Sequence, residues 1–320
     1  MSILVVGSVG LDDVFAPSGS RKRTLGGACS YFSTAASLYE RVQMVGVVGQ
    51  DFPQEHIDFF KSRDIDLSGL QVIEGKTFFW AGRYGANLGD AETLDTQLNV
   101  FADFHPSIPA AFRDAPYVFL ANIDPDLQLE VLDQVNNPKL VALDSMNFWI
   151  ATKRDALTKA FRRVDLLLLN ETEVLQYSEA GNLLDGAQML LDLGPKALII
   201  KRGAHGSMLV ARHMDVAQRF FMLPAYPLTS VIDPTGAGDT FAAGLMGHLA
   251  RTDDTSLANL RRAMVHGTVV ASFTVQGFSI DRLRELTRDD IHQRYDDIRF
   301  MTHFQCVTPD EASRFQHTIT

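Results

Sequence analysis

Cysteine is nearly absent: Cys29 and Cys306 are the two in 320 residues. Two thiols without metal-type spacing make neither a zinc site nor a disulfide framework, and they point to a reducing compartment. Positive charge is also in short supply, with 29 Lys and Arg against 39 Asp and Glu for a net charge of -10. A nucleic-acid binder needs a cationic surface to meet phosphates, so that class is disfavoured. Small anionic metabolites are not excluded, because local amides and a metal ion offset the global sign. No apolar run approaches the roughly 20 residues that cross a bilayer. The opening "MSILVVGSVGLDD" lacks a basic leader and meets acids after one short apolar run, so it reads as a first strand. The expectation is a soluble, cytoplasmic protein. Internal repeats and low-complexity tracts are missing too, which excludes solenoids and linkers.

The remainder is ordinary for a globular chain, with 46% hydrophobic and 21% charged residues. Its length suits one large domain with an excursion, or two domains. Short β-branched runs recur as candidate strands at 3–7, 42–49, 117–122, 140–144, 166–170 and 197–201. Amphipathic helical patterns lie between them at 28–40, 125–135, 152–164 and 183–194. Continuous apolar strands alternating with helices predict an α/β fold, a mostly parallel sheet covered on both faces. Residues 72–104 break the rhythm with polar, aromatic and turn-rich sequence that includes Phe78, Phe79, Trp80 and Tyr84. This stretch is either a plain hairpin insertion or a small β lid, and its length and aromatics favour the lid.

Two glycine patterns lead nowhere. "GLQVIEGKT" (69–77) has five residues between its glycines where a P-loop needs four, and it does not open a helix. "GSVG" and "GAHG" do not complete a dinucleotide fingerprint. "DPTGAGDTFAAG" (233–244) differs from both, since it precedes a helical pattern at 240–250. Pro234 stiffens the entry, and glycines at 236 and 238 open conformations closed to other residues. The amides of Gly236, Ala237, Gly238 and Asp239 should then crown a helix N-terminus and form an anion site. Asp239 either caps that helix or sits beside the anion as a base. The second arrangement suits phosphoryl transfer, where amides hold developing charge and a carboxylate accepts a hydroxyl proton.

This stretch closely resembles the C-terminal signature of the ribokinase-like (PfkB) carbohydrate kinases, a family of sugar and nucleoside kinases. Other motifs follow in the family's order across nearly the whole chain. The resemblance places a substrate-binding acid at Asp12 or its neighbour Asp13, and a lid-hinging, pocket-lining pair at Gly26 and Gly27. "NETE" (170–173) implies that Asn170 and Glu173 organise Mg²⁺ and its waters near the phosphates of ATP. "KRGAHG" (201–206), with Lys201, Gly203 and Gly206, resembles the turn beside the nucleotide. "HGTVVASFTVQG" (266–277) resembles the adenine-side helix, with His266 and Val270. A monovalent cation such as K⁺ is implied near Asp233 and Gly277. Each residue also has a plain structural role open to it: a turn at Asp12 or Asp13, a helix cap at Asn170, hairpin glycines at Gly203 and Gly206.

Two departures bear on the acceptor. Tyr31 stands where the family often has a sugar-binding Asn, offering an aromatic face, and "DSMNFW" (144–149) lacks the basic residue of many sugar-phosphate kinases. Together with the aromatics of 72–104, this favours an unphosphorylated nucleoside or another partly apolar acceptor, unless those rings pack within the lid or a dimer interface. The expectation is therefore one ribokinase-like three-layer α/β/α domain over 1–320, with lid segments at about 12–25 and 72–104, transferring the ATP γ-phosphate to a sugar or nucleoside hydroxyl. A metabolite sensor without turnover is the alternative from another class. The resemblance also implies pairing of two copies through the lid.

Overall fold

The computed structural model describes residues 1–212 and 215–303; Cys306 lies outside them. The strands are β1 (Ser2–Val6), β2 (Gly10–Ala16), β3 (Gly19–Gly26), β4 (Arg41–Gly49), β5 (Asp66–Ile73), β6 (Phe78–Arg83) and β7 (Glu92–Gln97). They continue with β8 (Tyr117–Leu120), β9 (Leu140–Asp144), β10 (Leu166–Asn170), β11 (Ala197–Lys201), β12 (Ser207–Ala211) and β13 (Phe220–Leu223). Nine form a sheet in the order β13-β12-β11-β10-β9-β8-β1-β4-β5. Its pairs are parallel from β5 through to β11 and turn antiparallel at β12 and β13.

Alternation along each strand feeds two cores. Ile3 and Val5 join one cluster, with the helices Ala28–Ala36, Ala237–Thr252 and Leu257–Thr274. Leu4 and Val6 join the other, with the helices Pro125–Leu132, Arg154–Phe161, Glu171–Ser178 and Leu183–Asp192. Both strand faces are buried because helices cover both sides, which is why these strands read as unbroken apolar runs. The antiparallel pair β12–β13 was not anticipated, since a short edge hairpin needs no helical crossover to betray it. Among the described residues, no helix is long and apolar enough to cross a membrane.

The second sheet has the order β3-β2-β6-β7. It corresponds to the expected lid with narrower limits. Ile73 still ends β5 of the large sheet, and Val100 and Phe104 are buried in the main core, so residues beyond about 97 return to the body. Two contacts hold the small sheet against the 232–235 segment: Ser18 Oγ donates to the Ile232 carbonyl (2.6 Å), and Tyr84 Oη meets Thr235 Oγ1 (3.0 Å). Between these two sheets lie the carboxyl ends of β8 to β11, where ligands of such sheets gather.

Candidate active site

The helix Ala237–Thr252 starts at Gly236, its N-cap, at φ 75° and without a side-chain cap. Asp239 is therefore the third helical residue, and the capping role left open for it is not the one it has. Glycine is required at 236 for two reasons. The left-handed φ disfavours a side chain, and a Cβ there would stand 2.3 Å from the Tyr31 ring. Of the amides expected to form the anion site, that of Ala237 turns back to the Pro234 carbonyl at 3.2 Å. Those of Gly236 and Gly238 have no partner among the described residues, and with the helix dipole they face any anion at this turn. Lys201 Nζ lies 3.3 Å from where a Gly238 Cβ would be, so the bare backbone lets the ammonium approach the same turn.

Behind this turn Lys201 forms an ion pair with Asp144 at 2.6 Å. Asp144 ends β9 as Asn170 ends β10 and Lys201 ends β11; the sequence reading did not single it out, although the strand carboxyl edge is where sites of such sheets gather. Burial and then the negative charge of Asp144 push the Asp239 carboxyl up to about 7, against the pull of Lys201. Asp12 is pushed further, to about 8, by burial and by the nearby Asp233 and Asp239, opposed by the Gly27 N–H. Burial also raises Glu173, with Lys201 opposing. A carboxylate with an affinity for protons near neutrality is suited to take one from a hydroxyl.

The turn 236–239 divides two cavities. One, of about 600 Å³, is lined by Lys201, Gly203, Gly206, Ala237 and Gly238, with Thr268, Ala271 and Ser272 from the 257–274 helix. The other, of about 410 Å³, is lined by Asp12, Gly27, Tyr31, Asn170, Glu173, Gly236 and Asp239, with Phe78 and Trp80 from the lid. Neither His266 nor Val270 reaches the first cavity. The helix presents 268, 271, 272 and 275 to it, and 266 and 270 fall on the opposite face. Val270 is fully buried, and the His266 ring stacks on His248 at 4.2 Å and meets Tyr39 Oη at 3.2 Å. Burial drives its basicity down to about 3, so it is a neutral core residue.

The pair left open at 12 and 13 separates cleanly. Asp12 lies across bare Gly26, where a Cβ would be 2.1 Å from its carboxylate, and faces the second cavity. Asp13 instead accepts the Arg23 amide at 2.7 Å and closes a bulge in the β2–β3 register. Gly27 takes φ 88°, and a Cβ there would meet the Ser8 carbonyl at 2.5 Å. Asn170 and Glu173 form a reciprocal capping box, with the Glu173 N–H donating to Asn170 Oδ1 (2.8 Å) and the Asn170 N–H to Glu173 Oε2 (2.7 Å). The cap and the cavity wall are thus one device, which fixes the carboxylate's aim. Both residues line the second cavity rather than the first.

Tyr31 does not offer a free face. It is 1% exposed with its ring against Gly236, and its hydroxyl is buried without a partner among the described residues. Within the lid, strand alternation sends Phe78 and Trp80 to the cavity, while Phe79 packs on the core and Tyr84 holds Thr235. Phe78 lies over Gly10 and Trp80 over Gly82, where Cβ atoms would come within 2.5 and 2.1 Å of the rings. Asp233 is 1% exposed and accepts the N–H groups of Thr235 (2.9 Å) and Ser279 (3.4 Å), next to the turn that carries Gly277. Asp90 and Asn122 also line the second cavity although no motif contained them, and so do Ser8 and Thr235, which lie within quoted motifs but were not singled out.

Comparison with known proteins places the chain among sugar and nucleoside kinases. The chain is 30% identical over 257 residues to a cytidine kinase of Thermococcus kodakarensis, covering 78% of this chain and 89% of that protein. It is 23% identical over 295 residues to a nucleoside kinase of Methanocaldococcus jannaschii, covering 86% and 90%. The solved structure of a ribokinase from Giardia lamblia superposes with a TM-score of 0.77 over 92% of this chain and 98% of that one, at 18% identity, a likeness of fold. The model of the pfkB family of carbohydrate kinases matches residues 11–282, and the chain belongs to that family.

Proposed function

We propose that this kinase transfers the γ-phosphate of ATP to a primary hydroxyl of a nucleoside. The observation that carries the reading is the shared wall at 236–239. Ala237 and Gly238 face the cavity with Lys201, and Gly236 and Asp239 face the cavity with Asp12. A nucleotide in the first cavity and an acceptor in the second would meet at Asp239 and the free amides. Asp239 takes the hydroxyl proton, the Gly236 and Gly238 amides hold the charge that develops on the phosphoryl group, and Lys201 adds a positive charge beside them. Asp12 and the Gly27 backbone orient the acceptor's other hydroxyls. The closed lid excludes water that would otherwise compete for the phosphoryl group.

Glu173, a buried carboxylate held by Asn170 and facing the cavity, would hold Mg²⁺ together with Asn170, and the ion would supply positive charge against the phosphates. Asp233 beside the Gly277 turn is our candidate for a monovalent-cation site. The β7 strand, exposed at all its residues, is the candidate edge for pairing two copies.

An unphosphorylated acceptor is supported by the second cavity's charge. Its charged lining residues are Asp12, Asp90, Glu173 and Asp239, all acids. Phe78 and Trp80 supply flat apolar surface suited to a base. The printed names of the similar cytidine and nucleoside kinases favour the same class. Turnover of cytidine, inosine, adenosine, ribose and fructose with ATP tests this. The highest kcat/KM should fall on a nucleoside, and ribose or fructose outrunning every nucleoside overturns the acceptor reading. ATP binding with no turnover on any of them would instead mark a sensor.

A further inference from the structure

Asn122 follows β8 at the sheet's carboxyl edge, and Asn147 opens the short helix Asn147–Thr152; both line the acceptor cavity. The amide orientation of each is fixed by chemistry rather than by choice. Trp149 Nε1–H, which can only donate, gives its proton to Asn122 Oδ1 at 3.0 Å. The Phe148 N–H, likewise only a donor, holds Asn147 Oδ1 at 2.9 Å. With each oxygen so held, the NH₂ group is the end left over, and neither NH₂ has a partner among the described residues. The Asn122 oxygen cannot be exchanged for the nitrogen without setting two donors against each other. Trp149 is itself braced edge-on by Phe148, ring centroids 4.8 Å apart.

The cavity therefore has acids on one part of its wall, which accept hydrogen bonds from hydroxyls, and amide donors on another. We infer that Asn122, oriented by Trp149, is a specificity-determining residue that donates from its NH₂ group to a carbonyl oxygen of the acceptor's nucleobase. This rests on the nucleoside reading above and sharpens it. Phe78 and Trp80 accept any base by its face, whereas an NH₂ donor rewards a base with a keto oxygen. Pyrimidine bases and hypoxanthine carry one, and adenine carries none. Ribose alone brings no nucleobase oxygen to Asn122. Trp149 is a positioning residue here, since it acts through the asparagine.

The experiment compares kcat and KM of the full chain for cytidine, uridine, inosine, adenosine and ribose in wild type, Asn122→Asp and Trp149→Phe. Asn122→Asp keeps an oxygen for the Trp149 N–H but replaces the cavity donor by an acceptor. It should raise KM for the keto nucleosides about tenfold more than KM for adenosine or ribose, as expected for loss of one hydrogen bond and of the selectivity it carries. Trp149→Phe frees the asparagine and should narrow the keto-to-adenosine preference about threefold, through KM rather than kcat. The ATP-induced rise in Tm, which reads the other cavity, shows that each variant is folded. Equal changes for all acceptors in Asn122→Asp, or no change in a folded variant, overturn the inference alone. A wild type that prefers ribose to every nucleoside overturns the acceptor reading, and this inference with it.

Discussion

The two cavities on either side of the 236–239 turn are built on opposite plans. The cavity proposed for the nucleotide is rich in small residues, among them Gly203, Ala204, Gly206, Ala237, Gly238 and Ala271, and its charged lining residues are Lys201 and Arg202, both basic. The cavity proposed for the acceptor mixes the rings of Phe78 and Trp80 with small residues such as Gly27, Ala28 and Ala91, and its charged lining residues are all acids. The difference follows from what each must hold. A polyphosphate is anionic and is met best by amides and cations. An uncharged polyol brings O–H donors and is met by acidic side chains, whose negative charge when ionised repels a second anion. One helix turn separates the two fields, and Asp239 stands on the acid side of it.

That contrast can be broken first at the turn both cavities share. Gly236→Ala forces a side chain into a left-handed φ and onto the Tyr31 ring. It should lower kcat by about a hundredfold or more by displacing Asp239 and the free amides together, with KM for both substrates disturbed. Steady-state kinetics against each substrate would show whether one cavity can be damaged without the other; an effect confined to the acceptor would deny the shared wall.

Asp12→Asn should act on one side alone. It replaces the carboxyl that faces the acceptor by an amide and should raise acceptor KM roughly tenfold or more, leaving KM for ATP unchanged. The same change tests the electrostatics. Asp12 titrates at about 8 in the folded chain, from an ordinary value of 3.8. A raised carboxyl favours folding while protonated in both states, and that contribution is lost as pH climbs from its unfolded value through about 8. The Tm of the ligand-free protein should therefore fall between acid and mildly alkaline pH, and Asp12→Asn should flatten that fall and be the more stable protein at about pH 8. A variant less stable there would show that the acid cluster does not strain the fold.

The smallest effect belongs to the lid. Gly82→Ala puts a methyl group 2.1 Å from the Trp80 ring and pushes the indole from its seat. Acceptor KM should rise about threefold with kcat and KM for ATP unchanged, as for lost uniform binding.

The same division explains what the sequence disclosed. The glycines of "DPTGAGDTFAAG" ahead of a helical pattern pointed to an anion site by themselves, whereas "KRGAHG" was tied to the nucleotide by the family resemblance alone. The central parallel strands were legible for a related reason, since burial on both faces leaves runs such as "LLLLN" and "ALIIK". The other cavity is assembled from separate strand ends and lid positions, so Asn122 and Asp90 carried no local signal. His266 and Val270 show the limit of carrying a motif over by position: the helix that holds them lines the first cavity, but a rotation of about half a turn decides which of its residues meet that cavity. Tyr31 shows another limit. Its partner is Gly236, some two hundred positions away in sequence, and only packing reveals that the ring supports the turn.

The central claim is that Asp239 takes the proton from the attacking hydroxyl at a turn otherwise given over to holding phosphate. Asp239→Asn keeps the shape and removes the base. Its kcat on the best acceptor, measured beside the ATP-induced rise in Tm, tests this most directly. The account predicts a kcat lower by about a hundredfold or more with the ATP response retained. A kcat within a few-fold of wild type, in a variant that still binds ATP, would contradict it.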